Sequence, residues 1–125
     1  MKFARWVFTL AGIYGLLVLS PMYFLESRIN AEFPPAITHP EYFYGFLGVA
    51  LSCQIGFLLI GTDPIRFRPM MIAAILEKLG YGIAVIVLYI QGRTNGQVMA
   101  ISSGDLILAV LFFAAYLRTP KSISL

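Results

Sequence analysis

Three ionisable residues, Glu77, Lys78 and Asp105, interrupt long apolar stretches of this 125-residue sequence. A charged side chain at the centre of a membrane-spanning helix costs roughly 2.5–3.5 kcal/mol on insertion scales, so three of them in so short a chain require a reason. Carboxyl and ammonium groups in apolar surroundings can bind a polar head group, carry a proton or act as a general acid or base. These residues are therefore the first candidates for a site.

Two neutral polar residues, Gln54 and Tyr81, are expected at nearly the same depth in the membrane as the three ionisable residues, when residues are counted from the ends of the apolar stretches. At about 1.5 Å per residue, Glu77 and Gln54 lie about 12 Å from one membrane edge, and Asp105 lies about 12 Å from the other. In a hydrocarbon core about 30 Å thick, a single central layer can hold them all. The sequence predicts a polar layer that binds a ligand or carries a proton, formed by Glu77, Lys78, Asp105, Gln54 and Tyr81.

Two structural interpretations of the same residues stay open. In the first, Lys78 pairs with Asp105 across two helices and Glu77 bonds to Gln54 or Tyr81, so that the layer only fixes the register of the helices. In the second, the long Lys78 side chain snorkels to the head groups at the membrane edge.

Other candidate residues carry weaker signals. Arg66 and Arg68 flank an aromatic residue and can bind phosphate head groups, although topology and anchoring explain them equally well. Cys53 is the only cysteine and is expected to be a small packing residue. His39 and Glu41 offer two metal ligands without a third, which makes a weak site. No metal or cofactor is expected, and one histidine excludes a bis-histidine haem.

The composition indicates an integral membrane protein. The chain is 59% apolar and 12% charged, with a mean hydropathy of +0.83, whereas soluble domains average about 25% charged residues. A transmembrane helix needs about 20 apolar residues, and no alternation typical of barrel strands is present. The sequence predicts one transmembrane domain over residues 1–125, which leaves no room for a nucleotide-binding or nucleic-acid-binding domain. Its four predicted spans are residues 6–25, 42–62, 69–91 and 97–117.

Short connections between the spans predict an all-α, antiparallel up-down four-helix bundle. Prolines at positions 34, 35 and 40 are expected to keep the outer loop, residues 26–41, extended. The first span is expected to be retained as a membrane helix, because it is too long for a signal-peptide core.

Lysine and arginine counts set the orientation. Six of these residues flank the spans on the side of both termini and two lie on the other side, so both termini are expected to be cytoplasmic, in a bacterial inner (plasma) membrane. The net charge of +3 is then a topology signal and predicts no nucleic-acid partner.

Small residues mark the helix faces that are expected to pack, since the hydrophobic effect does not drive helices together in lipid. The predicted inward face of the third span is Ala73, Ala74, Glu77, Gly80, Tyr81, Ala84 and Leu88. The second span has a small-residue seam of Gly45, Gly48, Ser52 and Gly56, with Gln54 on its other flank. The first span offers Ala11 and Gly15, and the fourth offers a stripe of Val98, Ser102, Asp105, Ala109, Phe112 and Tyr116.

Four stretches of the chain resemble a family of uncharacterised small bacterial membrane proteins: FPPAITHPEY at 33–42, GFLGVALS at 45–52, DPIRFRP at 63–69 and LEKLG at 76–80. The resemblance implies four spans and no assigned activity. In overall plan the chain is also similar to DoxX-like four-helix membrane proteins, some of which associate with redox complexes. The sterol isomerase and sigma-2 receptor group also places acids within a helix bundle, but its intramembrane histidine pattern is missing here.

The sequence therefore favours a non-enzymatic membrane protein whose polar layer binds a small amphiphile or carries a proton, with membrane lipid as its surroundings. One alternative is a structural or accessory subunit of a larger membrane complex, or a homo-oligomer, that docks through Gly48, Ser52 and Gly56. A weaker alternative is a lipid-modifying enzyme with Glu77 or Asp105 as its general acid–base.

Overall fold

The computed structural model describes residues 2–32 and 36–121, and every regular element within those ranges is a helix. In chain order the elements are α1 (Lys2–Leu19), a 3₁₀ helix (Ser20–Phe24), α2 (Glu26–Glu32), α3 (Pro40–Thr62), α4 (Met70–Ile90) and α5 (Gly96–Arg118). The 3₁₀ helix continues α1, and together they form one apolar segment, Lys2–Phe24.

Four helices are long and apolar enough to cross a membrane, which confirms the predicted fold class. They are α1 with its 3₁₀ extension, α3, α4 and α5, and they alternate in direction. We call the end of the bundle at which α1 begins and α5 ends the terminus end. The opposite end, which carries α2 and the connection between α4 and α5, is the loop end.

The connection between α4 and α5 is short because both helix ends are capped by local hydrogen bonds. Gly92 has a φ of 73°, in the left-handed region that favours glycine. Its N–H donates to Tyr89, and the N–H of Arg93 donates to Leu88, which together form a Schellman motif. The side chain of Asn95 then accepts a hydrogen bond from the N–H of Val98 and caps the start of α5.

The outer loop differs from the extended segment that the sequence predicts. Residues Glu26–Glu32 form α2, in which Arg28 and Glu32 make an ion pair one turn apart. Tyr44 of α3 donates a hydrogen bond to Glu26 and so ties the start of α2 to α3. The prolines cannot prevent this helix because all of them follow it. Pro34 and Pro35 lie outside the described residues, and Pro40 begins α3.

The four long helices associate as two tight pairs. α1 packs extensively against α3, and α4 packs equally extensively against α5, whereas α1 meets α5 over a smaller surface and α3 hardly meets α4. Glycines permit the close approach within each pair, since the Cβ of an alanine at Gly12 would lie 2.8 Å from Leu58, and one at Gly82 would lie 2.6 Å from Leu106. A seam therefore runs between the α1/α3 pair and the α4/α5 pair.

An aromatic cluster closes this seam at the terminus end. The rings of Phe8 and Phe112 stack with their centroids 4.3 Å apart, and Phe57 meets Phe112 edge-on at 5.0 Å. Phe8 and Phe112 are fully buried, and Met71 fills the space beside them. The main apolar core therefore lies in the half of the bundle nearest the termini.

The buried face of α4 is rotated about 100° from the predicted one, which corresponds to a shift of one residue. Its buried residues are Met71, Ala74, Lys78, Gly82 and Val85, whereas Ala73, Gly80 and Ala84, which were predicted to face inward, are exposed. Lys78, and not Glu77, is the most deeply buried ionisable residue of this helix.

Most of the predicted seam on α3 is also uncovered. An added Cβ at Gly45 or Gly56 would meet no atom within 4 Å and Ser52 is exposed, whereas a Cβ at Gly48 would lie 3.7 Å from the hydroxyl of Tyr23 in the 3₁₀ helix. Apart from that contact this face does not pack against another helix. The flank of Gln54 packs against α1 instead. On α1 the prediction is confirmed, because Ala11 and Gly15 are both buried.

Candidate functional site

Lys78 lies at the centre of the seam, between two carboxylates. Its Nζ is 3.4 Å from Oε2 of Glu77 and 3.5 Å from Oδ1 of Asp105. The residue is 7% exposed, and its Nζ lies 5.4 Å from the centre of the Phe57 ring. We call Glu77, Lys78 and Asp105 the acid–lysine triad.

The two ion contacts are nearly equal in length, and both exceed the 2.7–2.9 Å of a tight charge-assisted hydrogen bond. Lys78 therefore divides one positive charge between two acids. Oε2 of Glu77 is buried and forms no hydrogen bond of good geometry with any described residue. With all three groups ionised, the triad carries a net charge of −1.

These positions bear directly on the two structural interpretations of the layer. The approach of Lys78 to Asp105 across α4 and α5 agrees with the first interpretation. Its other half fails, because Glu77 makes no hydrogen bond with Gln54 or Tyr81 within the described chain. Snorkelling is contradicted, since the Lys78 ammonium stays buried between the helix pairs.

Gln54 lies at the level of the triad but stabilises the joint between α1 and α3. Its side-chain N–H donates to the Ala50 carbonyl at 2.9 Å, and the residue is 1% exposed. Its amide group fills the space that a side chain at Gly15 would need. Because Phe8 opposes Phe112 on antiparallel helices, Gly15 lies at about the level of Asp105, seven residues from each ring.

A groove between α3 and α4 reaches the triad from one side of the bundle. It consists of two adjoining cavities of about 620 and 330 Å³ that share Val49 as a wall. Glu41 lies at the loop end of the larger cavity and Glu77 at its inner end. Phe46 and Tyr81 face each other across it, with ring centroids 6.3 Å apart. We call this the α3/α4 groove, and Tyr81 contributes to its wall.

A second groove of about 540 Å³ lies between α1 and α5, on the opposite side of the seam. Asp105 contributes the only carboxylate among its described lining residues, none of which is a lysine, arginine or histidine, and Trp6 and Tyr14 contribute aromatic walls. We call this the α1/α5 groove. Each carboxylate of the triad thus belongs to a different groove, and Lys78 separates the two.

The sequence could not show these grooves. It places Glu77 and Asp105 at similar depths, but the spaces beside them exist only because α3 and α4 splay apart and α1 meets α5 over a small area. Phe57, whose ring lies near the Lys78 ammonium, also escapes sequence reasoning, because an apolar ring in an apolar helix carries no distinguishing signal.

The two arginines proposed to bind head groups have different surroundings. Arg66 is exposed, with its guanidinium 5.4 Å from the Phe67 ring. The Nε–H of Arg68 donates to the carbonyls of Thr119 and Tyr116, at 2.8 and 3.2 Å, and its guanidinium lies 3.8 Å from the Tyr116 ring centre. Arg68 therefore caps the end of α5 and holds the connection before α4 against it.

This arrangement predicts that Arg68→Lys destabilises the bundle by about 1–2 kcal/mol, because an ammonium cannot combine the hydrogen bonds that Nε–H shares between two carbonyls with the stacking on Tyr116. Arg66→Lys is the matched control and should change stability by less than about 0.5 kcal/mol. Reversible unfolding in mixed micelles measures both variants. Equal losses in the two variants would contradict the capping role of Arg68.

The remaining candidates do not form a site. Nδ1 of His39 lies 3.2 Å from Glu41, but both side chains are exposed, and no group of three metal-ligating residues occurs in residues 2–32 and 36–121. Cys53 is half-buried and contributes to the smaller cavity of the α3/α4 groove. The hydroxyl of Ser102 is buried without a hydrogen-bond partner among the described residues.

No family model, curated protein or solved structure matches the chain. The site must therefore be interpreted from its geometry. That geometry consists of a shared ammonium, two acids in separate grooves, and a largely apolar path from outside the bundle to each acid.

Proposed function

We propose that the protein is a membrane protein that binds a small amphiphile in the α3/α4 groove, with the polar head of the ligand beside Glu77. One observation carries the proposal: the Glu77 carboxylate, whose side chain is 26% exposed and makes no well-formed hydrogen bond with a described residue, ends the larger and mainly apolar cavity of the groove, which opens to the outside of the bundle. An apolar tail suits the wall, and a hydrogen-bonding head suits the partly exposed carboxylate of Glu77.

The charge distribution supports an orientation with both termini in the cytoplasm of a bacterial cell. Arg5, Arg66 and Arg118 are among the basic residues at the terminus end, and Arg28 and Arg93 lie at the loop end. In this orientation the mouth of the α3/α4 groove at Glu41 faces the outer leaflet. The ligand would then enter laterally, or from the outer surface.

A tryptophan placed in the groove tests for binding. Trp6, the only tryptophan, contributes to the other groove, so the reporter combines Trp6→Phe with Phe46→Trp. The probe is 12-bromododecan-1-ol in nanodiscs of zwitterionic lipid, because bromine quenches tryptophan fluorescence on contact. We expect a saturable component of quenching above the linear component that partitioning into lipid produces.

A matched pair of substitutions locates that component. Val49→Phe fills the groove wall and should remove the saturable quenching, whereas Val110→Phe should retain it. The two valines have nearly the same exposure, 67% and 68%, but Val110 belongs to neither groove. Quenching that stays linear in the reporter protein, or that Val49→Phe leaves saturable, would overturn amphiphile binding in this groove.

Proton carriage has less support from the same groove. The walls between Glu41 and Glu77 carry the hydroxyls of Tyr42 and Tyr81, but neither hydroxyl makes a hydrogen bond with either acid in the described part of the chain, so no connected path for a proton is present there. An acid–base role in lipid modification likewise rests on Glu77 or Asp105 alone, without a neighbouring nucleophile that completes a catalytic arrangement.

The uncovered face of α3 favours a second function, docking to a larger membrane complex. Gly45, Ser52 and Gly56 expose a surface on which a foreign helix could approach closely. This surface also borders the α3/α4 groove, so a docked helix and a bound amphiphile would compete. Recovery of a complex after mild solubilisation, lost on Gly56→Leu, would favour docking, and a monomer that retains saturable quenching would exclude it.

A further inference from the structure

We infer that the amphiphile bound in the α3/α4 groove is a cation whose head group carries N–H donors, such as a primary ammonium. This inference rests on the proposed function and adds the chemical class of the ligand. The evidence is the distribution of charge along the groove and within the triad.

The larger cavity of the groove carries an acid at each of its ends. Glu41 lies at the mouth and Glu77 at the inner end, and none of the described residues that line either cavity of the groove is a lysine or arginine. The only nearby ammonium is that of Lys78, which is buried behind Glu77. An anionic head group would therefore approach two carboxylates without meeting an available positive charge.

Lys78 cannot neutralise Glu77 by itself. Its Nζ is as close to Asp105 as to Glu77, within 0.1 Å, since the two distances are 3.5 and 3.4 Å. A net charge of −1 in a water-poor interior is unfavourable unless a proton or a bound cation compensates it. A monocationic ligand supplies that charge, because three groups and one bound cation sum to zero.

The carboxylate of Glu77 favours a ligand with hydrogen-bond donors. Its Oε2 is buried against Lys78, whereas the side chain as a whole is 26% exposed and makes no well-formed hydrogen bond with a described residue, so the other carboxylate oxygen can accept one from a ligand. A hydrogen bond to a carboxylate is charge-assisted for either donor, but an ammonium adds the attraction between opposite charges, so it gains more at this oxygen than a hydroxyl does. The facing rings of Phe46 and Tyr81 lie on the path to Glu77 and favour a cation as well.

The same tryptophan reporter distinguishes the ligand classes. Three probes share one chain and differ only in the head group: 12-bromododecylammonium, 12-bromododecan-1-ol and 12-bromododecanoate. After correction for partitioning, we expect the ammonium to bind at least about tenfold more tightly than the alcohol, since a gain of about 1.4 kcal/mol corresponds to tenfold. The carboxylate should bind most weakly.

Two carboxyl-to-amide substitutions assign the preference to the inner acid. Glu77→Gln should reduce the preference for the ammonium over the alcohol to less than about threefold. Glu41→Gln, at the exposed mouth of the same groove, should change it by less than about twofold, because exposed charges interact weakly. The preference is the ratio of the dissociation constants of the alcohol and the ammonium, both measured in the same variant. Differences between variants in the amount of folded protein therefore cancel.

The outcomes separate this inference from the proposed function. Saturable binding of all three probes without a preference for the ammonium would overturn the cationic class while amphiphile binding stands. A preference for the ammonium that survives Glu77→Gln would also overturn it. The comparison of the three probes in the parent reporter uses an intact triad, so it tests the cationic class even if the Glu77→Gln variant does not fold. Linear quenching by every probe would overturn the proposed function itself.

Discussion

Replacing Lys78 with methionine should lower the stability of the bundle by about 3–5 kcal/mol, the cost of removing one partner from a buried ion pair. Methionine matches the length of the lysine stem, so the substitution removes the ammonium and leaves the packing nearly unchanged. The loss arises because Glu77 and Asp105 then lie in the seam without a counterion. Their side chains are only 26% and 27% exposed, so water compensates them poorly.

Neutralising both acids should rescue this variant. Adding Glu77→Gln and Asp105→Asn to Lys78→Met leaves no charge in the seam, and the triple variant should recover most of the lost stability. Lys2→Met, which removes an exposed lysine at the terminus end, is the control for loss of a positive charge. Reversible unfolding in mixed micelles gives the free energies. A Lys78→Met protein as stable as the parent would show that the triad does not depend on its ammonium.

The depth of the triad could be predicted from the sequence because helix geometry fixes it. Every residue advances about 1.5 Å along its helix, so counting from the ends of the apolar stretches places Glu77 and Asp105 within a few ångströms of each other. The structure brings both to the same ammonium. Length and composition predicted the four long helices for a similar reason, since a membrane span requires a minimum apolar length.

The rotation of α4 could not be predicted in the same way. In water a helix buries its more apolar face. In a membrane the lipid is as apolar as a leucine side chain, so apolarity does not select the buried face, and the shape complementarity of the packed side chains selects it instead. Small residues are expected to mark the packed face, yet Ala73, Gly80 and Ala84 are exposed. The rotation of α4 is fixed at Gly82, where the absence of a side chain leaves space for Leu106 of α5. Gly80 is the same residue type but has no such neighbour on α5, and the sequence of α4 alone does not distinguish the two.

The α3/α4 groove could not be predicted from the sequence. The length of a connection indicates which helices are neighbours in the chain, but it does not indicate which helix surfaces are complementary in shape. α3 and α4 are joined by seven residues, 63–69, yet each packs mainly on a different partner. The fit of Gln54 and Leu58 against the glycines of α1 draws α3 away from α4. The groove is thus a consequence of the better fit between α1 and α3. The same separation of α3 from α4 makes Glu77 accessible.

Gly15→Ala provides the second large effect, because it introduces one methyl group where the Gln54 amide already lies. The added Cβ would overlap Oε1 and Cδ of Gln54 and would lie 2.7 Å from its Cγ. Overpacking of this kind costs about 1–3 kcal/mol. The cost increases if Gln54 moves, since its N–H then leaves the Ala50 carbonyl in a site that is 1% exposed. Unfolding in mixed micelles should show a loss of at least about 2 kcal/mol.

A second substitution distinguishes this overlap from a general intolerance of alanine in these helices. Gln54→Ala removes the obstructing amide, so the double variant should be more stable than Gly15→Ala alone, with a coupling of about 0.5–3 kcal/mol. Gly80→Ala is the matched control, since its Cβ would meet no atom within 4 Å. Additive losses at Gly15 and Gln54 would contradict the proposed contact. Coupled losses would show that α1 and α3 meet through this amide, at the level where the triad holds the other pair.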